Sequence, residues 1–71
     1  MAQQATTSAP SVGITVLSGR DIRLLRLVRD LSQEEVATRC GMSAATLSLL
    51  EAGRRPLRAD HELALLRVLF P

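Results

Sequence analysis

Nine arginines and no lysine carry all the fixed positive charge of this 71-residue chain, and their placement is uneven. Arg54, Arg55 and Arg58 crowd one short stretch, Arg39 stands alone, and Arg20, Arg23, Arg26 and Arg29 recur at helical intervals. A guanidinium offers a planar fork of donors that fits two oxygens of a phosphate, so clusters of this kind flank phosphate-lined grooves. The first four also read as the solvated face of a helix, and the 54–58 cluster is the stronger candidate. The formal net charge is only +2, so placement rather than total charge carries the signal. Enzymatic chemistry finds no support. The lone His61 has no second histidine, no cysteine pair and no glycine-rich phosphate loop to work with. The lone Cys40 falls on an apolar helical stripe, where a small core residue is expected rather than a nucleophile or metal ligand. No metal site and no cofactor are expected.

The elements that must position these arginines announce themselves through their ends. Ser32 is followed three residues later by Glu35, a capping box that opens a helix at Gln33. Val36, Ala37 and Cys40 then share one face, with Ala37 small enough to let another helix cross closely. Gly41 ends the run, because glycine takes the left-handed conformation that closes a helix. Ser43 caps the next helix, whose inward positions are Leu47 and Leu50. Two short helices joined through one glycine cross at a large angle and leave the outer face of the second free for a groove.

The same start signal occurs three times. Leu17-Ser18 with Ile22, Leu31-Ser32 with Val36, and Met42-Ser43 with Leu47 each set an apolar residue before a serine cap and another four positions into the helix, the pattern of a hydrophobic staple. Ser18 with Asp21 makes a second capping box. Each cap is worth about 1 kcal/mol. Beyond 53–59, a basic loop interrupted by Pro56, Asp60 is expected to cap a last helix carrying Leu63, Leu65, Leu66, Val68, Leu69 and Phe70 on more than one stripe. Such excess apolar surface on a terminal helix points to an interface.

Upstream, residues 1–11 are polar and rich in small side chains, while Val12, Ile14 and Val16 alternate with Gly13 and Thr15 as in a short strand over 12–17. A lone strand needs a partner. It pairs with its own copy in a dimer, or lies as an extended arm over the first helix, where Leu24, Leu27 and Val28 exceed what the core needs. A chain this short makes one domain near the limit of monomer stability, which favours a homodimer. One cysteine makes no internal disulfide, no apolar run nears about 18 residues, and the first residues resemble no export signal. The expected location is the cytoplasm, associated with the nucleoid, with no membrane contact.

The stretch 26–53, with Leu-Ser-Gln-Glu-Glu-Val-Ala, then Gly-Met-Ser, then Thr-Leu-Ser-Leu-Leu-Glu-Ala-Gly, resembles the Cro and lambda-repressor-like (Xre-type) helix-turn-helix family, and the likeness covers about 19–70. It implies an all-α fold: a compact lambda-repressor-like domain of four helices, or five, over 19–71, preceded by a flexible extended arm over 1–18. It also implies a sequence-specific DNA-binding transcriptional regulator, a small repressor or controller, that binds a palindromic operator in double-stranded DNA as a dimer. By the resemblance Gln33 meets the DNA backbone or supports the recognition helix, and Arg26 and Glu51 form an internal ion pair, so that Arg26 is structural, as are Ala37, Gly41 and Leu47. The groove-facing positions are Ser43, Ala44, Ala45, Thr46, Ser48 and Leu49, with Arg39, Arg54, Arg55 and Arg58 reaching phosphates.

The departure from the family pattern lies at those positions. Family members commonly carry glutamine, arginine, asparagine or lysine where Ala44, Ala45, Ser48 and Leu49 stand here, so bidentate base reading is missing. Discrimination per base should fall below the roughly 1–3 kcal/mol of a good bidentate pair. Specificity then leans on DNA shape, half-site spacing, or Arg54, Arg55 and Arg58 at a base or minor-groove edge. The alternative is a protein-interaction module, antitoxin-like or anti-regulatory, that turns the apolar face around Leu49 to a protein partner.

Overall fold

The computed structural model describes residues 16–71. Four helices follow one another, α1 (Gly19–Val28), α2 (Gln33–Cys40), α3 (Ala44–Glu51) and α4 (Ala59–Leu69), with no fifth helix and no strand among the described residues. The expected arm and the strand over 12–17 lie outside the described residues as far as residue 15. Val16 and Leu17 form a bend that leads into the α1 cap.

The first three helices start as their serines require. Ser18 and Ser32 each accept the N–H of the third helical residue, and Asp21 and Glu35 return the bond to the cap N–H, closing two capping boxes. Ser43 accepts the Thr46 N–H at 3.0 Å and donates its own proton to the Thr46 hydroxyl at 2.9 Å. In the two boxes the bond from the cap N–H holds the carboxyls of Asp21 and Glu35 below the usual carboxylate range.

The helix ends are equally regular. After α2 the Met42 N–H reaches back to the Ala37 carbonyl and the Gly41 N–H to that of Thr38, a Schellman closure with Gly41 at φ 74. The same pair of bonds closes α3 around Gly53, at φ 75, and α1 around Asp30, at φ 58. Asp30 thus takes a left-handed conformation that glycine adopts without cost, and it puts a negative charge at the negative end of α1. Asp30→Gly should raise stability by about 0.5–1 kcal/mol after the extra unfolded-state freedom of glycine is subtracted. A denaturant midpoint that is unchanged or lower contradicts this.

Ile22, Val36, Ala37, Leu47, Leu65 and Leu69 form the buried core, drawing on all four helices. Leu17, Leu31 and Met42 pack half-buried against it, so each staple residue joins the core as its helix begins. Burying a leucine or isoleucine of this kind contributes about 1.5–3 kcal/mol. Cys40 is also half-buried here; its Sγ lies 3.6 Å from the Ala64 carbonyl, and burial pushes the thiol pKa up, away from nucleophilic reactivity. α2 packs on α3 and α4, and α1 packs across both of those.

One feature differs from the sequence expectation. The cap of α4 is Arg58, which makes no side-chain bond, while Asp60 lies inside the first turn. The helix instead gains Glu62, whose Oε2 accepts the N–H groups of Val16 at 2.8 Å and Leu17 at 2.7 Å. This ties the entrance of α1 to the first turn of α4. Leu24, Leu27 and Val28 remain exposed on α1, Val28 at 82%, as do Leu63 and Phe70 on the α4 side. The Arg29 guanidinium covers the Phe70 ring at 4.4 Å.

Candidate nucleic-acid interface

The joint between α2 and α3 is only three residues, 41–43, and sends the chain from a supporting helix into one whose outer side is open. Leu47 and Leu50 anchor α3 inward, whereas Ala45, Ser48 and Leu49 face solvent, Leu49 at 37% exposure. Ala44 and Thr46 are half-buried. Ala44 packs against the core, and the Thr46 hydroxyl is engaged by Ser43, so both serve the helix start as well as its surface.

Behind this face, α3 is fixed by a buried polar cluster. The Arg26 Nε and Nη2 donate to the two Glu51 carboxylate oxygens at 2.8 and 3.0 Å, a bidentate pair with both residues under 10% exposed. Arg26 Nη1 donates to the Leu31 carbonyl at 2.9 Å, and Gln33 Nε2 to Glu51 Oε1 at 3.0 Å. Gln33 therefore buttresses the last residue of α3 while its half-exposed position keeps it at the surface. Burial pushes the Glu51 carboxyl up, but the bonds from Arg26 and Gln33 and the Arg26 charge outweigh it, and the net shift is downward. Arg26 is correspondingly raised, chiefly by its bond to Glu51.

The remaining candidates are not all gathered in one place. Arg54 and Arg55 are exposed directly after α3, where their N–H groups bond the Leu49 carbonyl and hold the turn against the helix end. Arg58 lies near Asp60, at 3.9 Å, with both side chains largely in water, a contact of little energetic weight. Arg39 sits in the last turn of α2, four residues after Glu35, whose charge it favours. What the sequence reading left aside is a surface notch of about 540 Å³ in which Arg20 and Arg23 of α1 meet Gln33, Ser48 and Glu51. Gly19, at its edge, was likewise unmarked. A Cβ there would stand 2.8 Å from the Leu50 carbonyl carbon, so only glycine lets α1 lie this close to α3. The spacing of Arg20 and Arg23 put them on one helix face, but nothing local shows that the face borders α3.

No group of three or more metal-ligating side chains occurs among the described residues, and none of their helices is long and apolar enough to cross a membrane. The His61 Nδ1 is buried without a hydrogen-bond partner among the described residues.

No curated protein and no solved structure matches the chain. A family model described as a helix-turn-helix domain matches residues 19–69, the span from the first residue of α1 to the last of α4. With that match over most of its length, the chain belongs to the helix-turn-helix domain family.

Proposed function

We propose that this protein is a transcriptional regulator of the small repressor or controller type that binds a palindromic operator as a homodimer, in the cytoplasm at the nucleoid. The observation that carries the reading is the exposed outer side of α3, bordered by Arg54 and Arg55, which form no ion pair among the described residues, and supported from behind by buried bonds. In this role Ser43, Ala44, Ala45, Thr46, Ser48 and Leu49 face the major groove. The starts of α2 and α3 present free N–H groups to phosphates, and Gln33, Arg39, Arg54, Arg55 and Arg58 add donors or charge. Two copies would set their α3 helices about 34 Å apart on one face of the duplex. The half-exposed Leu63 and Phe70 support the α4 end as the dimer contact, with the arm as the alternative.

A second reading has an observation of its own. Leu49 is an apolar side chain exposed in the middle of the reading face, which suits a protein partner as well as a thymine methyl. Two variants separate the two readings: Arg54→Ala and Arg55→Ala together, and Leu49→Arg alone. Titration of duplex DNA should show affinity falling steeply with salt, and the arginine pair reducing the log–log slope by about 1.8 for each protomer bound, about 3.6 for a dimer. Leu49→Arg should leave binding to random duplex intact or improve it. Binding that is absent, or flat from low to high salt, rules out the regulator reading.

A further inference from the structure

We propose that the notch between α1 and α3 is a phosphate clamp, in which Arg20 and Arg23 grip the backbone of one DNA strand beside the reading helix. The inference rests on the regulator reading and adds to it a contact from α1, on the opposite side of α3 from the Arg54–Arg55 turn in sequence.

The notch is built for an anion. Its floor is the Glu51 carboxylate, which is buried and already receives two bonds from Arg26 and one from Gln33, so its charge is compensated within the protein. Arg20 and Arg23, three residues apart and therefore neighbours on the helix surface, add two guanidinium charges on the wall, Arg23 near enough to Glu51 and Arg20 to Asp21 to favour those carboxylates. Neither forms an ion pair among the described residues, and residues 1–15 contain no Asp or Glu that might supply one. Gln33 uses one amide proton on Glu51 and keeps the other, and the Ser48 hydroxyl lines the same space. The backbone of the following turn offers nothing further, because the N–H groups of Gly53, Arg54 and Arg55 are bound to the Leu50 and Leu49 carbonyls. The charged donors of the notch are therefore the side chains of Arg20 and Arg23.

Position makes the ligand a duplex rather than a free ion. Ser48 belongs both to the notch and to the proposed groove-facing set, and Gln33 both to the notch and to the proposed phosphate donors, so a strand lying along α3 passes the mouth of the notch. The close approach at Gly19 holds the first turns of α1 against the end of α3, which fixes the two arginine backbones relative to the reading face. Phosphate contacts of this kind set register without reading sequence.

The test compares two double variants of the full chain that remove equal charge. Arg20→Gln with Arg23→Gln removes the clamp; Arg29→Gln with Arg67→Gln removes two cations outside the notch. Binding is titrated over a salt series on a random-sequence duplex and on the best duplex selected from a random pool. The clamp variant should bind both duplexes about tenfold or more weakly at 0.1 M salt, leave their affinity ratio unchanged, and flatten the log–log slope by about 1.8 for each protomer bound, about 3.6 for a dimer. The control pair should keep the slope within about 0.5. Melting midpoints within about 2 °C of the unsubstituted chain show that folding is intact. An unchanged slope in the clamp variant, or an equal loss in the control pair, overturns the clamp while the regulator reading stands. Failure of the unsubstituted chain to bind duplex DNA overturns both.

Discussion

Gly19→Ala should destabilise the domain by about 3 kcal/mol or more, although every local rule points the other way. Alanine is the better helix former and restricts the unfolded chain, so at an ordinary α1 position the change would stabilise by a few tenths to about 1 kcal/mol. Here the added Cβ falls deep inside the Leu50 carbonyl group and 3.2 Å from the Glu51 Cα. Both obstacles are backbone, which cannot rotate aside. Nor can α1 retreat freely. Ser18 caps it, Glu62 holds the N–H groups of Val16 and Leu17, and Ile22 is wholly buried one turn on. Denaturant unfolding of Gly19→Ala beside Arg20→Ala, one residue along and exposed, gives the comparison, because the second should change stability by less than about 0.5 kcal/mol. Equal stabilisation of both would mean that α1 and α3 are not in contact at this point. In the regulator reading, a partly folded Gly19→Ala chain should also lose DNA affinity, since the notch wall moves with α1.

What the sequence disclosed and what it withheld divide along interaction range. Serine caps, the bonds returned by Asp21 and Glu35, and the glycine ending α2 act within three to five residues, so their types and spacing are enough to place α1, α2 and α3. The last helix lacks such a signal. Arg58 caps it without a side-chain bond, and Asp60, the residue with capping chemistry, lies two residues too far in. Asp30 shows the converse, a left-handed closure at a residue that carries no glycine to mark it. The pairing of Arg26 with Glu51, 25 residues apart, was inferred through the family resemblance and is present as a bidentate bond. Glu62 binding to Val16 and Leu17 spans 45 and 46 residues, and Gly19 against Leu50 spans 31; no local pattern encodes either. Arg20 and Arg23 read equally as a phosphate flank and as a solvated face for the same reason, since a helix face reveals its neighbour only once the fold has brought it there.

Glu51→Ala should cost about 3–5 kcal/mol, most of the stability available to a domain of this size, because it strands the Arg26 guanidinium in a site under 10% exposed. The intact pair is not for that reason a large net stabiliser. Desolvating both ions offsets most of their attraction, so Arg26→Met with Glu51→Leu should recover most of the loss, leaving the Leu31 carbonyl and Gln33 amide to find water. Acid should act on the same group. The folded Glu51 carboxyl titrates below its unfolded value, so its contribution is fully present above the unfolded pKa of about 4.3 and disappears as pH falls through the lower folded value. Glu51→Gln should therefore be less stable than the parent at pH 7 and lose part of the acid dependence. A remainder should persist from Asp21 and Glu35, whose carboxylates are held down by their caps. Unfolding midpoints of the parent and the three Arg26 and Glu51 variants between pH 7 and 3 read all of this in one series. If Glu51→Ala proves nearly neutral, the cluster does not fix α3. If Glu51→Gln titrates like the parent, acid sensitivity comes from the caps alone, and the reading helix is held by its apolar side rather than by charge.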